Sequence, residues 1–337
     1  KFIDYTDEEG HWSTVKDNGK IKTKTVWTSG MVAGMFWYQY ECTGDLQFKV
    51  REWAEDTQLG LDGVQLLNDN DLGFQAFNSF GLGYRLVHDE DFKDRALAAA
   101  KSLFEFRYQK NIPAFWSWEK PSKRPEWEQA VNVDMMMNME VMLWAAENGG
   151  SEEYKDAVRG HADTTWEDIV RDDYSTFHVA DYDMEGYLED QGTYQGWQDD
   201  STWSRGQAWA VYGYAMVYRY LEEEEFLDYA LNCLKYIDDN VPDDLVPFAD
   251  YDAAEDDSNV KDSSATAIVC SALFEIFELT GDPVYLDKAL RYLDTLLSTP
   301  YFLPDANDDW EAFIRESTAA WGEPSVGSVT GDYFFLE

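Results

Sequence analysis

The chain contains little cysteine, histidine or positive charge. Its 337 residues include three cysteines and four histidines, and 26 lysines and arginines stand against 67 aspartates and glutamates, for a formal net charge of −41. Because no basic face can be assembled from so few cations, nucleic acid is excluded as a partner. Structural and catalytic metal sites usually combine several histidine or cysteine ligands, so the sequence predicts neither a metal nor a cofactor.

The cysteines Cys42, Cys233 and Cys270 each lie in apolar helical context, and none forms a Cys-x-x-Cys pair. We expect buried free thiols rather than a disulfide framework. Such usage is typical of a reducing compartment and predicts a cytoplasmic protein, although secretion from a longer precursor stays open. No run of about 18 apolar residues is present, so we expect no membrane-spanning helix.

Acidic residues cluster in short runs at 222–225, 238–239, 243–244 and 255–257. We interpret these runs as solvated surface whose mutual repulsion is screened by salt. Such a surface is typical of proteins from halophilic organisms. An ordinary acidic secreted protein is the alternative interpretation.

A repeated pattern indicates helical hairpins, each an apolar inner helix followed by a short turn and a more polar outer helix. The inner helices are predicted at about 30–43, 71–87, 134–148, 203–221 and 263–279, and the outer helices at about 45–57, 91–107, 152–170, 225–240 and 283–298. A sixth inner helix is predicted from about 332. Strand patterns are confined to possible short hairpins near 11–27 and 174–186.

This arrangement predicts an all-α (α/α)6 barrel formed by residues 1–337 as a single catalytic domain. An open helical solenoid is the alternative. The connections between hairpins are long, whereas the turns within them are short. The long loops therefore collect beside the N-termini of the inner helices, where we expect the functional site.

Several residues at this predicted rim are suited to binding and acid–base chemistry. Trp203, Arg205 and Trp209 open a buried helix and suit an anionic, ring-shaped ligand, unless the indoles are core and the arginine pairs with a structural acid. Asp71 and Asp134 each begin an inner helix. Two carboxylates that face one cavity can perform acid–base work on a glycosidic substrate, whereas separate aspartates would act as helix caps.

Six segments, in order along nearly the whole chain, resemble the unsaturated glucuronyl hydrolases of glycoside hydrolase family 88. They are Trp27-Thr-Ser-Gly30, Asp71-Leu-Gly-Phe74, Val133-Asp134-Met-Met-Met-Asn138, Gly192-Thr-Tyr-Gln195-Gly196, Ser201-Thr-Trp-Ser-Arg205-Gly-Gln-Ala-Trp209 and Gly331-Asp-Tyr-Phe-Phe-Leu-Glu337. The Trp-Ser-Arg-Gly-Gln-Ala-Trp block is the most specific of them.

The resemblance implies removal of the 4,5-unsaturated uronic acid that polysaccharide lyases leave on an oligosaccharide, by hydration of its vinyl ether. It implies that Asp134 begins protonated and acts as general acid and base, with ionised Asp71 as the second essential carboxylate. It implies that the substrate-binding residues are Trp27, His178, Gln195, Trp203, Arg205, Trp209, Ser325 and Ser328, the two serines contacting the next sugar. We expect a monomer or homodimer.

Other functions are compatible with parts of this pattern. An unsaturated rhamnogalacturonyl hydrolase would share the fold and mechanism, but the Arg-Gly-Gln-Ala-Trp motif at 205–209 favours the glucuronyl enzymes. A non-catalytic carbohydrate-binding barrel would need neither aspartate. A sugar epimerase would need two facing histidines, and His178 alone is expected at the rim, where a purely structural role is its alternative.

Overall fold

The computed structural model describes residues 3–14, 16–17, 20–21, 25–43, 47–256, 258–302 and 309–337. Within these ranges the helices are α1 Met31–Cys42, α2 Gln47–Leu59, a π-helix Gly73–Gly81 that continues directly into α3 Leu82–Val87, α4 Glu90–Arg107, α5 Met135–Glu147, α6 Glu153–Asp168, α7 Ser204–Leu221, α8 Glu224–Asn240, α9 Ser263–Thr280, α10 Pro283–Leu296 and α11 Val329–Leu336. Short 3-10 turns cover Trp27–Gly30 and Val64–Leu66. The predicted start of the first outer helix, 45–46, lies outside the described residues.

Six inner elements form a closed ring. Around it, α1 contacts the π-helix, the π-helix contacts α5, and α5, α7, α9 and α11 follow in order until α11 contacts α1 again. The outer helices α2, α4, α6, α8 and α10 each contact the inner helix that precedes them. The closed ring confirms the predicted barrel and excludes the open solenoid, because the first and last helices of a solenoid would not be in contact.

The division into inner and outer helices follows from their residues. Helix α9 is apolar on most sides and two-thirds buried, although by length and composition alone it could cross a membrane. Helix α8 buries only a stripe of apolar residues and exposes its acidic face, as an outer helix should. Small residues let the inner helices approach closely: a Cβ on Gly213 of α7 would lie 2.4 Å from the Met136 Cβ of α5.

Two of the predicted inner helices differ from the pattern. The predicted helix over 71–87 is a π-helix followed by a short α-helix, because the chain widens its turn between Gly73 and Gly81. The last inner helix begins at Val329 instead of near 332, since the Ser328 hydroxyl accepts a hydrogen bond from the Gly331 N–H and caps it.

Short strands lie in the loops outside the helical barrel. β1 Ile3–Thr6 pairs with β2 Trp12–Thr14, β3 Lys16–Asp17 with β4 Lys20–Ile21, and β5 Tyr108–Gln109 with β6 Ala114–Phe115. A three-stranded antiparallel sheet joins β7 Gln129–Asn132, β8 Val179–Tyr182 and β9 Leu188–Gly192, with β8 in the centre. The predicted hairpin near 174–186 is part of this larger sheet, which the helical pattern did not indicate.

The cysteines follow the prediction only in part. Cys233 and Cys270 are buried free thiols, and burial raises the pKa of both. Cys42 was predicted to be buried, but it is an exposed free thiol. It is the last residue of α1, where the helix leaves the packed interior of the barrel.

The pH dependence of stability should depend on a buried carboxyl in α11. Asp332 accepts hydrogen bonds from the Phe313 and Ile314 N–H groups, and burial raises its pKa from 3.8 to about 7. The folded state therefore binds this proton more tightly than the unfolded chain, so its stabilising effect is lost as pH rises through 7. Between about pH 3.8 and 7, where only the folded state holds the proton, the free energy of unfolding should fall by up to about 1.4 kcal/mol per pH unit, and above 7 this contribution levels off.

Asp332→Asn tests this expectation because the amide is neutral at every pH and its oxygen can still accept both hydrogen bonds. Urea unfolding at a series of pH values should show a shallower decline for Asp332→Asn than for the parent protein. Parallel declines in the two proteins would contradict the assignment of the proton to Asp332.

Candidate active site

The three-stranded sheet brings three segments together at one end of the barrel. Asn132 at the end of β7 pairs with Val179 at the start of β8, and Val179 pairs with Gly192 at the end of β9. Antiparallel pairing therefore places the residues after β7, before β8 and after β9 at the same edge. Asp134, His178 and the 193–195 loop meet there, although they are far apart in the chain.

These segments and the inner helices enclose a cavity of about 390 Å³. Both predicted carboxylates and several predicted binding residues line it. The lining residues are Trp27, Asp71, Phe74, Trp118, Asn132, Asp134, Gln195, Trp203, Arg205 and Trp209. Asp71 and Asp134 therefore share one hollow with indole walls, as the sequence predicted.

Asp134 is held by one of its two carboxylate oxygens. Oδ2 accepts a hydrogen bond from Asn132 Nδ2 at 2.7 Å and lies 3.4 Å from His178 Nε2. Oδ1 is buried and has no hydrogen-bond partner among the described residues. The side chain also accepts no bond from the described N–H groups at the start of α5, so Asp134 is not the helix cap that its position allows.

His178 lies behind Asp134 and does not line the cavity. Its Nδ1 faces the N–H groups of Tyr194 at 3.1 Å and Gln195 at 3.4 Å. A ring nitrogen that accepts main-chain N–H bonds carries no proton, so the proton of the neutral imidazole lies on Nε2, which faces Asp134. The expected contact of His178 with sugar hydroxyls is therefore replaced by a contact with the carboxylate.

Asp71 depends on an amide from the next inner helix. Asn138 Nδ2 donates to Asp71 Oδ1 at 3.2 Å, while Asn138 Oδ1 accepts the Phe74 N–H at 3.0 Å. Gly73 permits this approach, since a Cβ there would lie 2.6 Å from the Asn138 Cα. Burial raises the pKa of Asp71 well above its usual range, and the charges of Asp69 and Asp134 raise it further.

Burial and the neighbouring carboxylates thus favour the neutral form of Asp71. The resemblance implies an ionised Asp71 beside a protonated Asp134, and that assignment of the proton stays a prediction.

Arg205 is largely committed to the protein. It is 1 % exposed, and its Nη1 pairs with buried Asp262 at 2.7 Å and also donates to the Thr318 carbonyl. Its Nη2 donates to the Ala319 carbonyl at 2.7 Å. The alternative prediction, pairing of Arg205 with a structural acid, is confirmed. Arg205 also lines the cavity, so its contact with a substrate carboxylate stays a prediction. Only Nε is buried without a partner in the described ranges.

Aromatic side chains form the walls. Phe74 lies between Trp27 and Trp209, with ring centroids 5.4 Å from each. Trp203 and Trp209 are almost fully buried and form the floor, whereas Trp27 is half-buried at the rim. Trp203 and Trp209 are thus core residues that also line the cavity, so the core interpretation and the pocket interpretation are both correct.

The remaining predicted residues separate into one that lines the cavity and two that do not. Gln195 lines it, and its Nε2 donates to the Ala319 carbonyl at 3.1 Å. Ser328 is 1 % exposed and caps α11. The Ser325 hydroxyl donates to Glu316 Oε2 at 2.9 Å. Neither serine is among the residues that line the cavity, and the contact of this pair with a second sugar stays a prediction.

Sequence reasoning missed four residues of the site: Phe74, Trp118, Asn132 and Asn138. Two of them could have been found from spacing. Asn138 lies four residues after Asp134 on the same side of the helix, and Asn132 lies two residues before it, at the end of β7. Trp118 lies in a long loop, where neither the helical nor the strand period of side chains applies.

Comparisons with known proteins agree with this geometry. The model of Glycosyl Hydrolase Family 88 matches residues 2–307. An unsaturated glucuronyl hydrolase from Formosa agariphila is 38 % identical over 94 % of this chain and 80 % of its own length. A crystal structure of an unsaturated glucuronyl hydrolase specific for heparin has a TM-score of 0.89 at 30 % identity, covering 99 % of this chain and 88 % of the other. The crystal structure of the Bacillus sp. GL1 enzyme also gives 0.89, at 31 % identity, covering 100 % and 89 %.

The closed helical barrel and its paired carboxylates define a glycoside hydrolase, and the chain belongs to Glycosyl Hydrolase Family 88. Within that family it is of the unsaturated glucuronyl hydrolase type. It removes the terminal unsaturated uronic acid from lyase-generated oligosaccharides, so its partner is a carbohydrate.

The ion pair of Arg205 and Asp262 should contribute strongly to stability. Both side chains are at most 1 % exposed, so Arg205→Ala leaves a buried charge unpaired. We expect the free energy of unfolding to fall by about 3–5 kcal/mol, measured by urea unfolding. The control is Arg51→Ala, which removes an ion pair to Glu55 that is about 40 % exposed on both sides and should cost at most about 1 kcal/mol. Equal losses in the two variants would contradict the role given to Arg205.

Proposed function

We propose that the cavity binds the terminal unsaturated uronate and that Asp134 and Asp71 together hydrate its C4–C5 double bond. The observation that carries the proposal is the meeting of the two carboxylates in one indole-walled cavity, where burial and neighbouring charges raise the pKa of Asp71. A binding module would need the aromatic walls but not a pair of carboxyl groups in different environments.

The reaction needs a proton at C4 and a hydroxyl at C5. Protonation of the vinyl ether at C4 leaves an oxocarbenium ion shared by C5 and the ring oxygen. Water then adds at C5 and gives up one proton, and the resulting hemiketal opens to a ketone. The ring opening leaves a hemiacetal at C1, whose collapse releases the rest of the oligosaccharide as an alcohol. The balance is one added water.

Asp134 is the residue that exchanges protons with the substrate. Oδ2 is held by Asn132 and faces His178, so Oδ1 is the oxygen free to meet C4 and then the attacking water. Because His178 can present only Nε2–H while its Nδ1 accepts main-chain N–H bonds, it acts as a positioning residue that keeps the carboxylate oriented. The ionised carboxylate also stabilises positive charge at C5.

Asp71 is the second carboxyl of the acid–base pair. Its raised pKa favours the neutral form, and a proton held there can reach the double bond through Asp134. The Asn138 amide, which donates to Asp71 Oδ1, orients the carboxyl toward the cavity.

The substrate carboxylate is received by N–H donors that the protein leaves unused. Arg205 Nε and Trp203 Nε1 are buried without hydrogen-bond partners among the described residues, and both side chains line the cavity. A positive guanidinium with one free N–H beside an indole N–H suits a carboxylate. Trp27 and Trp209 offer flat faces to the sugar ring.

Asp134→Asn should abolish turnover while leaving the fold and ligand binding largely intact, because the amide keeps the shape but cannot exchange the proton. We expect a loss of about 10³-fold or more in kcat, measured by the ultraviolet loss of the conjugated double bond. The control is Asp94→Asn on the exposed face of α4, which changes the net charge equally. Turnover of Asp134→Asn at an appreciable fraction of the parent rate would show that another group exchanges the proton.

Asp71 should set the alkaline limit of activity. The active pair carries one proton, so activity falls as pH rises through the raised pKa of Asp71. Asp71→Asn can neither hold nor supply this proton, so its activity should be much lower and its residual activity should not follow the alkaline limb of the parent protein. The pH dependence of kcat/KM for both proteins measures this. An unchanged alkaline limb in Asp71→Asn would assign the titration to another group.

A further inference from the structure

A buried arginine lies close to Asp71 without lining the cavity. Arg107 is the last residue of α4 and is 9 % exposed. Its hydrogen bonds among the described residues go to main-chain carbonyls and not to a carboxylate. Burial lowers the pKa of Arg107, and the charges of Asp69 and Asp71 partly oppose this effect. A buried cation without a contacting carboxylate is costly to keep, so its position calls for a physical reason.

One end of the guanidinium holds the segment that carries Asp71. Arg107 Nη2 donates to the Asn68 carbonyl at 2.7 Å. Within the same segment, the Asp71 N–H donates to Asp69 Oδ1 at 2.9 Å, which makes a compact turn before the π-helix. Arg107 therefore fixes the place at which this turn enters the barrel, and with it the place of the Asp71 carboxyl.

The other end of the guanidinium leads to Asp134. Arg107 Nη1 donates to the Ser117 carbonyl at 3.0 Å, and the Ser117 hydroxyl donates to Asn132 Oδ1 at 2.5 Å. Asn132 Nδ2 then donates to Asp134 Oδ2 at 2.7 Å. One planar group thus joins the two segments whose separation determines how both carboxyl groups meet the substrate.

The plane of the guanidinium is itself fixed by an indole. Arg107 Cζ lies 4.2 Å from the centre of the Trp116 ring. The Trp116 N–H also donates to the Arg107 carbonyl at 3.0 Å, which anchors the end of α4. A planar fork held against a ring can donate to two carbonyls in set directions, whereas the compact ammonium of a lysine lacks this fork.

The charge of Arg107 also acts on Asp71. The charged groups that face Asp71 are Asp69 in its own segment, Asp134 at the start of α5 and Arg107 at the end of α4. Burial and the two carboxylates raise the pKa of Asp71, and the guanidinium lowers it. Arg107 is the cation of this group, so it limits how far the pKa of Asp71 rises.

We propose that Arg107 is a positioning residue for the hydration reaction: it holds the segments of Asp71 and Asp134 at one separation and supplies the positive charge near Asp71. The inference rests on the proposed function, because it needs both carboxyl groups to act on the substrate. Arg107 acts through these groups and not on the sugar, since its hydrogen bonds go to carbonyls of residues outside the cavity lining.

Two substitutions separate the geometric effect from the effect of charge. Arg107→Lys keeps the positive charge but cannot bind both carbonyls through a planar fork. Arg107→Gln removes the charge and leaves a shorter amide donor. Circular dichroism and urea unfolding establish that each variant is folded under the conditions of the assay.

The matched control is Arg171→Gln, which removes a cation with similar contacts. Arg171 Nη2 donates to the Ser201 carbonyl at 3.1 Å, and its Cζ lies 3.8 Å from the centre of the Phe177 ring. The charge of Arg171 is opposed to that of Asp173 and not to that of Asp71. Loss of Arg171 therefore reports the cost of removing a buried guanidinium without changing the charge near Asp71.

Both Arg107 variants should lower kcat about 10-fold and change KM less than about 2-fold, because the carboxyl groups move while the indole walls stay in place. In Arg107→Gln the alkaline limb of kcat/KM should also move to higher pH by about 0.5–1, since the pKa of Asp71 rises when the cation is removed. Arg107→Lys should restore the alkaline limb of the parent protein, and Arg171→Gln should leave it in place.

An NMR titration of the Asp71 carboxyl carbon, assigned by its loss in Asp71→Asn, measures the same pKa without turnover. An unchanged pKa of Asp71 in Arg107→Gln would overturn the proposal, and so would an unchanged kcat in Arg107→Lys, which decides the matter even where Arg107→Gln does not fold. If the NMR titration of Asp71 moves while the alkaline limb does not, Arg107 sets that pKa and it is the proposed function that fails in its use of Asp71.

Discussion

One amide joins the two halves of the catalytic pair. Asn138 on α5 donates to the Asp71 carboxylate and accepts the Phe74 N–H of the neighbouring π-helix. Both contacts cross between inner elements, and the absence of a Cβ at Gly73 lets the backbones come close enough to form them. Because Asp134 lies one helical turn before Asn138, the same helix presents both the carboxylate and the group that positions its partner. The geometry of the site therefore depends on the register between the π-helix and α5.

A second set of contacts closes the opposite wall. The buried pair of Arg205 and Asp262 joins α7 to the start of α9, and the guanidinium also binds the carbonyls of Thr318 and Ala319. Gln195 donates to the same Ala319 carbonyl. A buried ion pair is seldom the most stabilising way to fill a core, but here its hydrogen bonds attach a long loop to the cavity wall. The remaining Nε is thereby held at a fixed place beside the substrate.

The fold could be predicted from the sequence more completely than the contacts of the residues that line the site. Apolar helices such as α9 are evident from the sequence alone, and short turns alternating with long loops indicate where the site lies. Asp71 and Asp134 were found because acidic residues at two neighbouring helix starts share a rim. The sequence left a structural role open for Arg205 and His178, but it could not identify the partners of these residues or of Ser328. Their partners are Asp262, Thr193–Gln195 and a local helix end, and no periodicity reports such pairings. The π-helix was not predicted for a related reason, because its wider turn leaves no distinct hydrophobic pattern over nine residues.

The raised pKa of Asp71 links binding to chemistry. An anionic sugar that enters a cavity with two ionised carboxylates would meet two like charges at short range in a medium of low dielectric constant. Burial and the neighbouring charges of Asp69 and Asp134 favour the neutral form of Asp71, which lessens this repulsion, and the unpartnered donors Arg205 Nε and Trp203 Nε1 belong to residues that line the same cavity. In the proposed reaction, a proton held by this pair is the one that the double bond needs. The feature that admits an anion to an acidic protein is thus also the feature that starts its hydration, because a carboxyl that is costly to ionise is both a weaker repellent and a ready acid.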